Sequence, residues 1–253
     1  MNVKNLEFLK EGLKYLGFGE KLNADLENKI KEQPAEFKLS MVGEFNKGDT
    51  KEKVNYSLDF RKSDQTDMYF FNRYQATVKN DDPSKDVTQT FYITKNAGVT
   101  AKEAYNLLSG RAVNKDLNNK EGQPYNAWLQ LDFQEKDKND NFKVKQYHAG
   151  YGYDLEMVMA KYPIKEQLNA EEKTKLMKSL EKGNLTQVTF AREGGEDKMY
   201  IAANAKMEKQ FQGIEKKEKS GEDKSKEKKE TVKQDSEEES EGKRKSKRKG
   251  VGV

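Results

Sequence analysis

The stretch VNYSLDFR, residues 54–61, alternates strictly: Val54, Tyr56, Leu58 and Phe60 are apolar, while Asn55, Ser57, Asp59 and Arg61 are polar. Successive side chains on a strand point to opposite faces, so this period of two predicts a strand with one buried and one wet face. The same period extends outward on both sides. Before it, Phe37, Leu39, Met41 and Phe45 alternate with Lys38, Ser40 and Glu44. After it come Met68, Phe70, Tyr74, Ala76 and Val78, then the run from Gln89 to Thr94. The connections NKGDTKE, KSDQTD and NDDPSKD are short, polar and turn-forming, so the strands read as an antiparallel meander.

Helical spacing takes over at both ends of the meander. Leu6, Leu9, Leu13 and Leu16 share one face up to Gly17. A second helix is predicted over residues 23–32, with Asn23 as its cap, Leu26 and Ile30 inward and Pro34 closing it. On the far side, Thr100 and Glu103 form a capping box for a helix over 100–109 that stops at Gly110. Tyr125 to Phe133 alternates again, and Phe142 to Tyr147 returns as its hairpin partner after the loop EKDKNDN. Asp154 caps a short helix ending at Pro163, and Asn169 opens another that stops at Gly183. A Gly194-Gly195 turn joins Val188 and Phe190 to Met199 and Ile201 in a last hairpin. Strands that cluster in runs predict an α+β fold. The expected organisation is a helical start plus antiparallel sheet over 1–97, a second α+β unit with two hairpins over 98–213, and a charged tail over 214–253.

The tail changes the meaning of the bulk composition. Of the chain's 48 Lys/Arg and 44 Asp/Glu, residues 214–253 hold 14 and 11, which leaves 34 and 33 in residues 1–213. The body is therefore close to neutral, and the basicity sits in the tail. With almost no apolar residues to bury, the tail is expected to be disordered. Its charges are blocked: an acidic stretch from Asp235 to Glu241 precedes Lys243, Arg244, Lys245, Lys247, Arg248 and Lys249. That basic run points to nucleic-acid phosphates, through counterion release. The competing reading is a solubilising tail paired with its own acidic block.

Several chemistries are removed by residue count. There is no cysteine, so disulfides, thiolate metal sites and cysteine nucleophiles are excluded. His148 is the single histidine, so a multi-histidine zinc site is excluded too. No apolar run reaches the ~18 residues a membrane span needs. The N-terminal MNVKNLEFLKEGLK mixes Lys and Glu into its apolar positions, unlike a signal peptide, so the cytoplasm is the expected location and no membrane partner is expected. Two near-motifs fail at their working positions. Gly43 to Thr50 approaches a phosphate-binding loop, but Asp49 stands where the lysine belongs and a strand follows instead of a helix, so a hairpin turn is expected. Asp137, Asn139 and Asn141 open like a calcium loop, but Phe142 replaces the glycine and His148 the bidentate glutamate, so a hairpin turn is expected there also. No catalytic residue, metal or cofactor is assigned. The carboxylates Asp132 and Asp154 remain as a remote basis for a metal-dependent hydrolase.

What remains is a candidate surface of Arg111, Trp128, Gln130, Tyr147, His148, Tyr151 and Tyr153. Trp128 lies on the polar side of its strand, between Asn126 and Gln130. If that face is open, Trp128, Gln130 and Tyr147 form a stacking platform for a base or peptide. If the helices after residue 154 cover it, Trp128 belongs to the core. The tyrosines and His148 in KQYHAGYGYD read either as a binding surface or as strand-end packing before a Gly-rich turn. Arg111 either pairs with an acidic side chain or reaches a phosphate.

Tyr105 to Phe133, YNLLSGRAVNKDLNNKEGQPYNAWLQLDF, and Gln146 to Pro163, QYHAGYGYDLEMVMAKYP, together with Phe60 to Phe71, FRKSDQTDMYFF, resemble an uncharacterised bacterial protein family associated with conjugative mobile elements. The shared strings are LL-x-GR, N-x-x-G-x-x-YNAW-x-QLD and YGYDL. The resemblance spans nearly all of residues 1–205. It implies a nucleic-acid setting, since related domains sit near or are fused to DNA-processing proteins such as topoisomerases. It carries over no catalytic residues. The resulting expectation is a non-enzymatic accessory protein of a mobile element that binds a protein or nucleic-acid partner, with a protein-interaction module bearing an inert tail as the alternative.

Overall fold

The computed structural model describes residues 1–93 and 98–206, and the backbone alone of 212–215. It is an α+β structure. Helices α1 (Val3–Tyr15) and α2 (Asn23–Glu32) lead into strands β1 (Glu36–Lys47), β2 (Thr50–Lys62), β3 (Tyr69–Val78) and β4 (Val87–Tyr92). Helix α3 (Ala101–Leu108) is followed by β5 (Val113–Asn118), β6 (Pro124–Lys136) and β7 (Phe142–His148). Then come α4 (Leu155–Met159), α5 (Ala170–Glu181), β8 (Thr186–Arg192), β9 (Gly195–Ala202) and β10 (Gln212–Glu215).

The first four strands form an antiparallel sheet in the order β1-β2-β3-β4, the meander the alternation predicts. Val54, Tyr56, Leu58 and Phe60 are all buried on one face. Leu6, Leu9 and Leu13 of α1, Leu26 and Ile30 of α2, and Ala104, Leu107 and Leu108 of α3 join them in one hydrophobic cluster. The second sheet has the order β5-β6-β7 and the third β10-β9-β8, all antiparallel. A second cluster gathers Trp128 of β6, Leu155, Val158 and Met159 of α4, Leu176 and Leu180 of α5, and Val188 and Ile201 of the last hairpin. Strand β6 divides the two clusters: Leu129 and Leu131 face the first and Trp128 the second.

Residues 1–217 make one compact unit. Position 98, the expected boundary between two units, falls inside the sequence span of the first cluster, which runs from Leu6 to Leu131. The tail does not begin at 214, because Ile214 and Glu215 pair with Tyr200 and Met199 as part of β10. The remainder of the tail, with Lys243, Arg244, Lys245, Lys247, Arg248 and Lys249, lies outside the described residues. Asn23 is not the cap of α2. Leu22 occupies that position without a side-chain hydrogen bond, and Asn23 is the first helical residue. The other caps hold: both halves of the Thr100–Glu103 capping box are made, Asp154 accepts from the Met157 N–H, and Asn169 accepts from the N–H groups of Glu171 and Glu172, although α4 ends at Met159, short of Pro163.

Buried amides tie the elements together. Asn5 on α1 accepts from the Tyr69 N–H at 2.7 Å and donates to the Tyr69 carbonyl at 3.0 Å. Gln89 on β4 does the same for Phe142, accepting at 2.8 Å and donating at 3.2 Å, while Asn141 accepts from the Thr90 N–H at 2.9 Å. These side chains supply the pairing that a strand neighbour would otherwise provide, which keeps buried backbone groups from being orphaned.

Candidate functional site

The seven candidate surface residues do not form one surface. Trp128 is only 8% exposed and meets the Tyr153 ring edge-on, with centroids 5.1 Å apart. Tyr153 is buried as well, and burial pushes its phenol up to about 12, partly offset by the Asn204 backbone. The helices after residue 154 cover this face, so Trp128 is core and not a stacking platform. Gln130 is buried and fully engaged: it donates to the Gly110 carbonyl at 2.8 Å and to Asn204 Oδ1 at 3.1 Å, and accepts from the Lys206 N–H at 3.2 Å. Tyr147 is half-buried, while Tyr151 and His148 are exposed. Tyr147 packs on Tyr151 with centroids 4.6 Å apart, and His148 on Tyr125 at 5.3 Å. The two pairs lie on opposite faces of the sheet: Tyr147 is the cross-strand partner of Trp128 and packs against its cluster, while His148 lies opposite Ala127 on the other face.

Arg111 is 4% exposed and sits where two helices end. Its Nε donates to the carbonyl of Gly183, just past α5, at 2.9 Å. Its Nη2 donates at 2.7 Å to Asn106 Oδ1, and Asn106 in turn donates to the Lys182 carbonyl at 2.6 Å. The guanidinium carbon lies 4.8 Å from the centre of the Tyr105 ring. Carbonyls at helix C-termini carry partial negative charge, so a cation there is favoured. Burial lowers the Arg111 pKa, opposed by the nearby Tyr105 and Glu52. Among the described residues no carboxylate comes within 4.0 Å of Arg111, so neither sequence expectation, an acidic partner or exposure to a phosphate, is met directly.

The near-motifs are turns. Gly48, at φ 60°, and Asp49 connect β1 to β2 in a two-residue hairpin, and Asp137 accepts from the N–H groups of Asn139 and Asn141 in the β6–β7 turn. Asp132 accepts from the Gln134 N–H and lies 3.5 Å from Lys145, and these groups lower its pKa, the backbone hydrogen bond first. Asp154 is occupied as the α4 cap. Among the described residues, no group of three or more His, Asp or Glu is placed to hold a metal. Among them, no helix is long and apolar enough to cross a membrane.

A surface that the sequence reading passed over is the outer face of the first sheet. Its register lines up four rows: Glu36, Arg61 and Phe70; Lys38, Asp59, Arg73 and Tyr92; Ser40, Ser57, Gln75 and Thr90; and Val42, Asn55, Thr77 and Thr88. The third and fourth rows are hydroxyls and amides with one exposed valine. The charged end holds a concavity of about 490 Å³ bordered by Lys38, Arg61, Arg73 and Tyr92. Its charges are largely paired: Arg73 Nε lies 2.8 Å from Asp59, Lys38 lies 3.3 Å from it, and Arg61 lies 3.8 Å from Glu36. Phe70 and Tyr92 are exposed there, at 46% and 53%. The signal was present as the polar half of the alternation, which the helices on the opposite face leave in water. No protein-family model, curated protein or solved structure matches the chain.

Proposed function

We propose that the chain is a non-enzymatic accessory protein of a mobile genetic element, working in the cytoplasm, that binds nucleic acid through the outer face of its first sheet and its basic tail. The observation that supports this reading most is the sheet face itself. Exposed Phe70 and Tyr92 stand among Arg61, Arg73 and Lys38, beside rows of neutral hydrogen-bonding groups. Aromatic faces offer stacking to unpaired bases, and hydroxyls and amides bond base edges without a net charge. The tail adds the long-range attraction that a nearly neutral body lacks. The mobile-element setting rests on the resemblance of the LL-x-GR and YNAW-x-QLD strings.

Binding of fluorescent single-stranded and duplex DNA across a salt series tests this. Removal of residues 242–253 should weaken both complexes and flatten the slope of log K against log salt by up to about 5. Tyr92→Ala should cost about 1–3 kcal/mol on the single strand and leave duplex affinity nearly unchanged. A second reading, a protein-interaction module with an inert tail, is favoured by the pairing of Arg61, Arg73 and Lys38 with Glu36 and Asp59. It predicts no nucleic-acid binding at physiological salt, and a dimer or a co-purifying protein instead.

A further inference from the structure

A cleft of about 400 Å³ lies where the end of α3 meets the β1–β2 hairpin, β4, β6 and the segment before β8. Arg111 and Ser109 stand on one side of it. Val87, Leu108, Phe133 and Leu185 supply apolar walls. Lys47 and Glu52 border it as an ion pair 2.7 Å apart, and Glu52 also accepts from the Tyr105 hydroxyl at 2.9 Å. Lys47 and Glu52 therefore cancel, and Arg111 leaves the cleft one positive charge in excess.

That charge is met from within the protein by a helix-end carbonyl, Asn106 and the Tyr105 ring, but by no ion-pair partner among the described residues. A buried cation is costly unless it is paired and hydrogen-bonded. Arg111 is met by the Gly183 carbonyl, Asn106 and the Tyr105 side chain, and no carboxylate among the described residues forms an ion pair with it. A guanidinium without an ion-pair partner, at the edge of an apolar cleft, matches the planar oxygens of a carboxylate. A single excess charge, with Glu52 close by, suits a monoanion better than a phosphate dianion. The walls suit a hydrocarbon or aromatic body, the usual makeup of a small-molecule pocket.

The geometry points to a binding site for a small organic monocarboxylate, its carboxylate on Arg111 and its apolar body against Val87, Leu108, Phe133 and Leu185. This site is separate from the outer sheet face and does not depend on nucleic-acid binding.

The test titrates the full-length chain with 3-phenylpropionate, its neutral amide, and inorganic phosphate, by calorimetry and by the NMR resonance of the Arg111 side-chain N–H. The acid should bind saturably at millimolar concentration or below, at least about tenfold tighter than the amide or phosphate, and should shift the Arg111 resonance. Val87→Trp, which fills the cleft and leaves Arg111 in place, should abolish binding, and Arg111→Gln should remove the preference for acid over amide. The assignment is overturned by equal affinity for acid and amide, by phosphate binding as tightly as the acid, by unchanged binding in Val87→Trp, or by no saturable binding at all. The resonance shift is read on the unmodified chain, so a variant that misfolds leaves a decisive measurement standing.

Discussion

Asn5 holds both backbone groups of Tyr69, and Gln89 holds both of Phe142, each from a side chain on a different element. Replacing such an amide by an apolar group orphans two buried polar groups at once. Asn5→Ala should lower the unfolding free energy by about 2–4 kcal/mol, read from urea titrations as a shift in midpoint with an unchanged slope. The buried tyrosines set a limit at high pH. Burial raises the phenols of Tyr56, Tyr74 and Tyr153, the last to about 12, from an ordinary value of 10.0. In the unfolded chain these groups ionise first, so the native state holds more protons above that ordinary value. Stability should be fully present below it and fall as pH rises toward the folded values. Urea midpoints should therefore drop between about pH 10 and about pH 12, and Tyr153→Phe should make that drop shallower. A midpoint independent of pH over that range would contradict the burial of these rings.

At the scale of elements, Gly183 is the tightest joint. Its φ is +73°, and an added Cβ would lie 2.7 Å from the Ala112 carbonyl and 2.8 Å from Val113. Gly183→Ala should cost at least about 2 kcal/mol, from strain and displacement together. Gly150→Ala, where nothing lies within 4 Å, should be close to neutral, and thermal melts of the two variants compare them directly. Gly183 was legible in the sequence as a helix stop, but its contact with the chain after α3 was not, since spacing along one element says nothing about which element it touches. The same limit explains Trp128. Alternation predicts one wet face for β6, yet α4, α5 and the last hairpin cover that face too, so a residue on the polar side of the pattern is core. Strand β5 escaped because Val113, Lys115 and Leu117 offer only two apolar positions in a stretch dominated by Asn, Lys and Asp. The meander and the capped helices were legible because each rests on its own local chemistry: period two, a capping box, a glycine stop.

For the whole molecule, the interleaved cores predict cooperative behaviour. A fragment of residues 1–97 lacks Ala104, Leu107 and Leu108 of α3, and Leu129 and Leu131 of β6, all part of the first cluster. It should fail to give dispersed amide NMR signals alone, and regain them when mixed with residues 98–217. A folded, monomeric 1–97 fragment would show that the first sheet needs no support from the later elements. The amide stitch between β4 and the β6–β7 turn reaches beyond stability. Exposed sheet rims are templates for runaway polymerisation, because any extended peptide can dock on their free N–H and C=O groups. On the β4 rim, Asn141 takes the Thr90 N–H, and the Gln89 side chain holds the Phe142 backbone beside the strand, so an incoming chain meets an occupied donor and a segment already docked there. Among the described residues, no side chain guards the opposite rim, twelve-residue β1, in this way, and it relies on the charges of Lys38, Glu44 and Lys47 for deterrence. Fibril formation, if provoked by neutralising those three side chains, should therefore start from the β1 side and grow in one direction.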